Sequence, residues 1–313
     1  MATRDYQQIE WDADVEDDCR QLIRLAVRED LDRLYDWTSV AVIPDSAPGQ
    51  ALVVARKPGV IAGLPAAAVA LDEYDPQIQW RPLLADGDTV AAGQAIAQLS
   101  GKARSLLAAE RPLLNLLGHL SGVATLTRRF VDAVTGTAVR IYDTRKTTPG
   151  WRRLEKYAVR QGGGHNHRLG LFDGILIKDN HLALGAAADV KYSPGDAVRR
   201  ARRFLQQLDE GEAARALLVE VEVDSLDQLR EALPAAPDLV LLDNMPPDVL
   251  REAVRLRDAL APGVELEASG GILLETVAAV AATGVERISA GALTHSAQWL
   301  DIGLDWQYTT TTE

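Results

Sequence analysis

The chain has 313 residues and a formal net charge of −12, with 47% hydrophobic and 25% charged residues. This length suits one large domain or two ordinary ones, and the composition is typical of a soluble globular protein. An acidic surface repels polyanions, so we expect no nucleic-acid partner. No apolar run reaches membrane-spanning length and the acidic N-terminus lacks a signal-peptide core, so we expect a cytoplasmic protein without a membrane partner. Cys19 is the only cysteine, which excludes an intrachain disulfide and a thiolate metal cluster.

The first part of the chain mixes helical and β patterns. A helix is predicted from Asp14 to Arg28, where apolar residues recur near helical spacing and acids fill the first turn. Short β runs broken by Pro-Gly and Asp-Gly turns follow at residues 51–63, 78–83 and 89–99. A long helical pattern from Ala103 to Val134 contains Pro112, which either kinks one helix or opens a second. These features predict an α+β domain with a small sheet.

From Ala138 onward, short β runs alternate with helical segments. The β runs are AVRIYD, DGILIKD, ALLVEVEV, DLVLLD, VELEAS and ERISAG. Helices are predicted between them at residues 151–160, 196–208, 226–233, 247–261 and 274–283. This alternation predicts parallel βαβ units of an α/β fold. Polar residues end nearly every strand, which favours an incomplete β/α barrel over a doubly wound sheet, because the active-site face of a barrel collects the C-terminal strand ends. The terminal TTTTE is expected to be a frayed end.

One stretch, Arg140 to Arg168, is strongly basic within this acidic chain. It holds eight basic against two acidic residues, a net charge of +6, together with His165 and His167. Such an island attracts small anions. Four of its cations lie on one predicted helix, and we expect them to be solvated: Arg152, Arg153, Lys156 and Arg160. A metal held by the two histidines is not expected, because no third soft ligand stands nearby.

The cations expected to bind an anion lie instead at strand ends and loops of the proposed barrel. They are Arg145, Lys146, His167, Arg168 and Lys178. This set exceeds what one carboxylate needs, and arginine offers a two-pronged donor to planar carboxylates. A dicarboxylate therefore fits the cluster better than a monocarboxylate.

Later strands bring carboxylates and glycines to the same end of the proposed barrel. Glu220, Glu222 and Asp243 suit Mg²⁺, ribose hydroxyl groups or a developing cation. Because alternate residues of a strand share a face, Glu220 and Glu222 point the same way, and one of them is also a candidate structural partner of the cations. The turns SGGI (269–272) and SAGALTHS (289–296) have the composition and the position of phosphate-binding loops.

Read together, these segments resemble the quinolinate phosphoribosyltransferase family, the decarboxylating nicotinate-nucleotide pyrophosphorylases among the type II phosphoribosyltransferases. The resemblance lies, in family order between residues 110 and 296, in ERPLLNLLGHLSGVATLT, DTRKTTPGWRRLEKYAVRQGGGHNHRLGLFDGILIKDNH, VEVEVDS, LLDNM, EASGGI and GALTHS. It implies an open β/α barrel at residues 119–291 and an N-terminal α+β sandwich domain at residues 1–118, joined by the tail 292–313. It also implies a homodimer or higher oligomer with shared active sites.

The family motifs assign roles on the quinolinate side. By resemblance, Arg111 of ERP is contributed by the partner subunit, and Lys146 of TRK reaches between the two substrates. The two quinolinate carboxylates are held by the residues at the matching cationic positions, namely Arg145, His167, Arg168 and Lys178. Asn180 and His181 of KDNH resemble residues of the site wall.

The phosphoribosyl pyrophosphate side follows in the same way. Glu222 and Asp243 face the ribose and Mg²⁺, directly or through water or substrate, and the separate roles of Glu220 and Glu222 stay open. Phosphate binding is implied for Ser269, Gly270, Gly291 and His295. The implied reaction yields nicotinate mononucleotide, pyrophosphate and CO₂ in de novo NAD biosynthesis. Its implied catalytic residues are Lys146, Glu222 and Asp243, and its implied cofactor is Mg²⁺.

Two other functions stay open on the sequence alone. One is a related phosphoribosyltransferase that acts on another pyridine or aromatic acid. Nicotinate lacks the second carboxylate that the surplus cations are expected to hold, so a comparison with quinolinate separates these activities. The other is a non-enzymatic anion-binding or regulatory protein on a decayed barrel, which binding without turnover would indicate.

Overall fold

The computed structural model describes residues 5–185, 192–208 and 217–307, and the terminal TTTTE lies outside them. These residues pack into two compact units. The first, the barrel unit, contains residues 5–8, 129–146 and 164–292 within the described ranges. The second, the sheet unit, contains residues 9–128, 147–163 and 293–307. The division between the units falls between Arg128 and Arg129. Residues 5–8 belong to the barrel unit, and residues 147–163 belong to the sheet unit.

The elements are numbered in chain order. The described helices are Ala13–Leu31 (α1), Trp37–Val42 (α2), Leu64–Tyr74 (α3), Ala103–Ala133 (α4), Arg152–Gln161 (α5), Asp179–Gly185 (α6), Pro194–Gln207 (α7), Leu226–Ala232 (α8), Pro247–Leu260 (α9), Val277–Ala281 (α10) and Ala292–His295 (α11). The described strands are Pro48–Ala55 (β1), Gly59–Val60 (β2), Gln79–Pro82 (β3), Thr89–Val90 (β4), Ala95–Lys102 (β5), Arg140–Tyr142 (β6), Ile175–Ile177 (β7), Val219–Val223 (β8), Leu239–Asp243 (β9), Glu265–Ser269 (β10), Arg287–Ser289 (β11) and Ile302–Trp306 (β12). Pro112 lies inside the continuous helix α4, so it does not open a second helix. Among the described residues, no helix combines the length and the apolar character that crossing a membrane requires.

The sheet unit is built on a four-stranded antiparallel sheet in the order β12-β1-β5-β3. The C-terminal strand β12 therefore completes a sheet whose other strands come from the first third of the chain. One face of this sheet packs against α3 and α4, because alternate strand residues such as Val53 and Leu99 point to that side. Each fully buried aliphatic side chain contributes about 1.5–3 kcal/mol, so this cluster is a main source of the unit's stability.

The barrel unit contains a parallel sheet formed by the six strands that the alternating pattern predicts. Their order is β6-β11-β10-β9-β8-β7, so the first strand lies beside the last and the sheet is open between β6 and β7. Backbone bonds of His165 extend the β6 edge, since its N–H donates to the Ile141 carbonyl at 2.8 Å and its carbonyl accepts from the Asp143 N–H at 3.0 Å. This topology confirms the predicted α/β class, an incomplete β/α barrel with an N-terminal α+β domain.

Side-chain alternation places the acidic residues of two strands on one face of the parallel sheet. Glu222 of β8 and Glu267 of β10 both lie opposite Leu241 of the strand between them. Glu220 and Ser269, two residues away on their strands, share this face. Glu220 and Glu222 therefore lie on the same face of the sheet, as the sequence predicts. Glu267 of β10 adds a third acidic side chain to this face.

The basic helix α5 corrects one expectation. Its cations do not form a solvated face, because Lys156 is completely buried and the other three are partly buried: Arg152, Arg153 and Arg160. The cause is burial of the helix, since every residue from 154 to 159 is buried within the sheet unit. Arg153 reaches Asp14 and Asp18 of α1 at 3.3 and 3.4 Å, so it serves packing within the unit.

Candidate active site

Two arginines of the barrel unit, Arg145 and Arg168, lie close enough for their positive charges to interact. Arg168 is buried, and its Nη1 donates to the Gly174 carbonyl at 3.4 Å. Desolvation lowers the pKa of Arg168, and the positive charge of Arg145 lowers that pKa further. The half-buried Arg145 has a buried Nε that finds no hydrogen-bond acceptor among the described residues. Two interacting guanidinium groups, one of them with a buried donor that lacks an acceptor, favour an anionic ligand.

His167 points into the barrel unit and is 5% exposed. Its Nδ1 accepts a hydrogen bond from the Arg168 backbone N–H at 2.8 Å, and its Nε2 lies 3.2 Å from Glu220 Oε2. Because Nδ1 accepts from a backbone donor, Nε2 is the ring nitrogen that donates to Glu220. The ring also stacks on Tyr6 with centroids 4.6 Å apart. The predicted contact of His167 with a ligand carboxylate stays a prediction, whereas its observed contacts fix the Arg168 backbone.

Two completely buried carboxyl groups flank His167. Glu267 Oε1 lies 3.5 Å from His167 Nε2, the same ring nitrogen that makes the shorter contact with Glu220. Desolvation raises the pKa of Glu267 to about 7, and the nearby Glu220 contributes to the rise. Desolvation also opposes ionisation of Glu220, but His167 and the hydrogen bond from Tyr6 outweigh it and lower the pKa of Glu220. The cluster therefore holds one charged and one readily protonated carboxyl group around a histidine.

The same cluster has the residue types of a metal site. Among the described residues, ligand atoms of His167, Glu220 and Glu267 lie within 4.8 Å of one another. Tyr6 donates a 2.7 Å hydrogen bond to Glu220 Oε2, whereas Glu220 Oε1 is buried without a hydrogen-bond partner among the described residues.

A third pair joins the two predicted halves of the site. The Lys178 ammonium group donates a hydrogen bond to Glu222 Oε2. Lys178 was expected to hold quinolinate and Glu222 to face ribose or Mg²⁺, so the structure brings one residue of each set into contact. The Lys178 backbone N–H donates to Nδ1 of His181 at 2.9 Å, which ties the start of α6 to the same strand end.

Asp243 and the first glycine turn form a connected group at the C-terminal ends of β9 and β10. Asn244, with φ of 54°, donates its side-chain amide to Asp243 at 2.9 Å and its backbone N–H to the Ser269 carbonyl at 2.9 Å. Gly270 has φ of +90°, and a Cβ there would lie 2.4 Å from Asn244 Oδ1. Ser289, at the end of β11, donates to the Ser269 hydroxyl at 2.9 Å. Only glycine fits this close approach.

The remaining predicted residues are Lys146, Gly291, Asn180, Arg111 and His295. Lys146 is exposed just after β6, and Gly291 follows β11. Asn180 is exposed on α6. Arg111 and His295 belong to the sheet unit, where both are exposed, and His295 Nδ1 contacts the Ser296 hydroxyl at 2.7 Å. The roles assigned to these residues stay predictions.

Three residues of the site region escape the sequence reasoning. Glu267 could have been predicted from the sequence, because it lies two residues before the candidate site residue Ser269 and therefore on the same face of the strand. Asn244 also had a weak signal as a polar residue after a strand. Tyr6 had none, since its contact with Glu220 joins positions 214 residues apart.

Two family models match the chain. The model of the N-terminal domain of quinolinate phosphoribosyl transferase matches residues 36–121, and that of the C-terminal domain matches residues 123–305. The nicotinate-nucleotide pyrophosphorylase (carboxylating) of Mycobacterium leprae is 48% identical over 292 residues, which cover 92% of this chain and 97% of that protein. A probable nicotinate-nucleotide pyrophosphorylase (carboxylating) of Bacillus subtilis is 43% identical over 86% of this chain and 87% of its own length.

A solved structure supports the same relationship. The nicotinate-nucleotide pyrophosphorylase from Francisella tularensis matches with a TM-score of 0.85 and 35% sequence identity, over 97% of this chain and 100% of that chain. The likeness extends over nearly the whole length of the sequence, so it concerns the elements of both units.

Proposed function

Because the chain belongs to the quinolinate phosphoribosyltransferase family, we propose that it converts quinolinate and phosphoribosyl pyrophosphate to nicotinate mononucleotide, pyrophosphate and CO₂ in de novo NAD biosynthesis. One observation carries the proposal most directly. The buried Arg168 guanidinium lies in the field of Arg145, whose Nε has no acceptor among the described residues. A planar dicarboxylate supplies the acceptors that these donors lack.

The cationic residues bind quinolinate in different ways. Arg145 and Arg168 provide bidentate donors, and Lys178 provides a mobile point charge. His167 stays the fourth predicted carboxylate ligand. Nicotinate carries one carboxylate fewer, so its complex leaves a desolvated cation without a partner, which lowers affinity.

The phosphoribosyl end is held by the glycine turns. Backbone N–H groups at Gly270 and Gly291 and the hydroxyl of Ser269 suit a phosphate, because exposed amides after parallel strands form anion-binding concavities. His295, a residue of the sheet unit, is the remaining proposed phosphate ligand.

Mg²⁺ is the proposed cofactor, and the donor chemistry fits it. Glu222 and Asp243 offer hard oxygen atoms, but Glu222 already bonds to Lys178 and Asp243 accepts from Asn244. This small number of available protein oxygens suits Mg²⁺, which keeps several waters and binds substrate phosphates. When bound, the ion neutralises the leaving pyrophosphate.

The chemistry needs positioning and charge more than a nucleophilic side chain. The pyridine nitrogen attacks ribose C1 as the bond from C1 to pyrophosphate breaks, and positive charge develops at C1. Glu222 and Asp243 stabilise this charge, and Lys146 reaches between the substrates. The alkylated ring nitrogen is cationic, so the ring accepts the electron pair left when CO₂ departs from C2, and a proton then adds at C2.

A homodimer with shared active sites is the proposed assembly. Arg104 and Arg111 are seven residues apart on α4 and therefore lie on one face of that helix. Arg104 Nε donates to the Ile43 carbonyl at 2.8 Å, which brings the end of α2 to the same face. Large apolar side chains are exposed in and before α2: Leu34, Tyr35, Trp37, Val40 and Val42. Such contiguous apolar surface is typical of subunit interfaces, and a partner that covers it lies close to Arg111.

The cytoplasm is the proposed compartment. Cys19 is a free thiol buried in the sheet unit. Burial raises the pKa of Cys19 to about 12, so the thiol stays protonated and unreactive. A chain whose only cysteine is free suits a reducing environment.

The activity is tested with purified protein, Mg²⁺, phosphoribosyl pyrophosphate and quinolinate labelled in its 2-carboxyl group. We expect pyrophosphate and labelled CO₂ in equal amounts, with nicotinate turned over far more slowly. Lys146→Ala and a reaction with excess chelator serve as controls. Turnover of nicotinate in preference to quinolinate would indicate the related transferase, and binding without pyrophosphate release would refute the enzymatic function.

Shared sites are tested by mixing two inactive variants. In a hybrid of Arg111→Ala and Lys146→Ala subunits, one site regains both residues and the other loses both. Random reassociation should therefore restore about a quarter of the wild-type activity. Arg145→Ala mixed with Lys146→Ala is the matched control and should restore none, because both residues belong to the barrel unit of one chain. No recovery in a verified Arg111→Ala hybrid contradicts the shared site.

A further inference from the structure

The segment Asp5–Gln8, here called the N-terminal strap, packs with the barrel unit although the residues after it belong to the sheet unit. Its first residue bonds to the edge strand β6 and to the neighbouring strand β11. Asp5 Oδ1 accepts from Arg287 Nη1 at 2.9 Å, and Asp5 Oδ2 accepts from the Tyr142 hydroxyl at 2.7 Å. Arg287 is completely buried and also bonds to Glu265 at 2.6 Å. The strap therefore begins at a fixed point in the unit.

The second strap residue touches the histidine that precedes Arg168. Tyr6 is 4% exposed, donates its hydroxyl to Glu220 at 2.7 Å and stacks on the His167 ring. The packing leaves no spare room, because a Cβ at Gly174 would lie 2.9 Å from Tyr6 Cε1. Gly174 is also the residue whose carbonyl accepts from the Arg168 guanidinium. Tyr6 thus contacts residues on both sides of Arg168.

The last strap residue binds the backbone of the same loop. Gln8 Oε1 accepts from the Asn166 N–H at 2.8 Å, and Gln8 Nε2 donates to the Asn166 carbonyl at 3.1 Å. The next N–H, of His167, donates to Asp143 at 2.9 Å, and the N–H of Arg168 donates to His167 Nδ1. Side-chain acceptors therefore bind three successive backbone N–H groups, those of residues 166, 167 and 168. Gln8 supplies the first acceptor, and Tyr6 stacks on the ring that supplies the third.

We propose that the N-terminal strap is a positioning element of the active site, in which Tyr6 and Gln8 hold the loop 166–168 so that Arg168 meets a carboxylate of the aromatic dicarboxylic acid substrate. The inference rests on the proposed function for its substrate, and on the hydrogen bonds above for its geometry. Neither strap residue needs to touch the substrate. Their effect on substrate binding is transmitted through Asn166 and His167. A guanidinium group that is already positioned before the substrate binds loses less conformational entropy on binding.

The test uses the full chain with Gln8→Ala, Tyr6→Phe and Tyr6→Leu, and with Gln7→Ala as the matched control. Gln7 lies in the same strap but is exposed. We expect Gln8→Ala and Tyr6→Leu to raise the KM for quinolinate about five- to tenfold, with the KM for phosphoribosyl pyrophosphate within about twofold of wild type. Tyr6→Phe keeps the ring stack and should restore part of the loss seen in Tyr6→Leu, whereas Gln7→Ala should match wild type.

A second measurement does not depend on the substrate. Amide hydrogen exchange of the substrate-free protein should speed up at residues 166–168 in Gln8→Ala and not in Gln7→Ala. If exchange rises but the two KM values change equally or not at all, the positioning role is refuted while the transferase activity stands. If exchange at these amides does not change, the strap does not hold the loop. If wild type does not turn over quinolinate, the proposed function is refuted. The exchange measurement still tests whether the strap holds the loop.

Discussion

Glu267 makes the stability of the protein depend on pH in a direction opposite to that of an ordinary surface carboxylate. Its pKa is raised from 4.5 to about 7, first by desolvation and also by Glu220. Between these two values the folded chain keeps a proton that the unfolded chain has lost. Stability from this group is therefore fully present below pH 4.5, falls as the pH rises, and is lost above pH 7.

The size of the effect follows from the shift. One pKa unit corresponds to about 1.4 kcal/mol, so the full difference is about 3 kcal/mol, of which between about 2 and 3 kcal/mol falls between pH 5 and pH 8. Glu267→Gln keeps the shape and stays neutral at both pH values. We therefore expect the variant to gain this amount over wild type on going from pH 5 to pH 8.

The assay is urea unfolding of wild type and variant at the two pH values, followed by far-ultraviolet circular dichroism. Comparison between proteins at each pH cancels the titration of the groups that do not interact with Glu267. Glu275→Gln, a change of the same charge at an exposed position, is the control and should remain parallel to wild type. A Glu267→Gln protein whose difference from wild type is the same at pH 5 and pH 8 would refute the assignment of the proton to this buried cluster.

Three further predictions concern substrate binding. Arg145→Ala should raise the KM for quinolinate about tenfold or more and leave that for phosphoribosyl pyrophosphate nearly unchanged, and equal losses in steady-state kinetics would contradict the division of the site. Gly270→Ala should cost about 1–3 kcal/mol in urea unfolding and weaken phosphoribosyl pyrophosphate binding, because the new Cβ clashes with Asn244. Gly93→Ala, also at positive φ but with nothing within 4 Å of its Cβ, controls for the backbone alone and should keep full binding. Asp243→Asn should lower kcat and raise the Mg²⁺ concentration that gives half-maximal rate, and an unchanged Mg²⁺ titration would remove Asp243 from the ion's surroundings.

Much of the barrel was predictable because its signals are local. Each strand is a short apolar run, and its polar end needs only the next few residues to be recognised. The alternation that puts Glu220 and Glu222 on one face is likewise a property of a single strand. In contrast, helix Leu64–Tyr74 was not predicted, because its sequence LPAAAVALDEY is apolar on most sides and shows little helical periodicity. Its start at Gly63, with φ of 100°, follows a β run and reads as a turn.

The rest of the site could not be predicted because it depends on distant partners. A buried Lys156 and a solvated one look alike on a helical pattern, since enclosure is a property of the surrounding unit. His167 is next to Arg168 in the sequence, but the surroundings of its ring include Tyr6 and Glu267, which belong to other elements. Sequence reasoning thus finds which residues carry the charge, whereas packing decides which of them remain available to a ligand.

The placement of the first barrel strand beside the last has a consequence for how the chain is made. Strand β6 pairs with β11, so the sheet can be completed only after residues 287–289 have left the ribosome. The bond between Asp5 and Arg287 spans 282 positions, and strand β12 must be present before β1 gains its second neighbour. Both units therefore need residues 287–306 before their sheets are complete. We expect slow closure of these long loops to limit folding. Nascent chains that stop before residue 287 should remain open to proteases and chaperones, although most of their strands already exist.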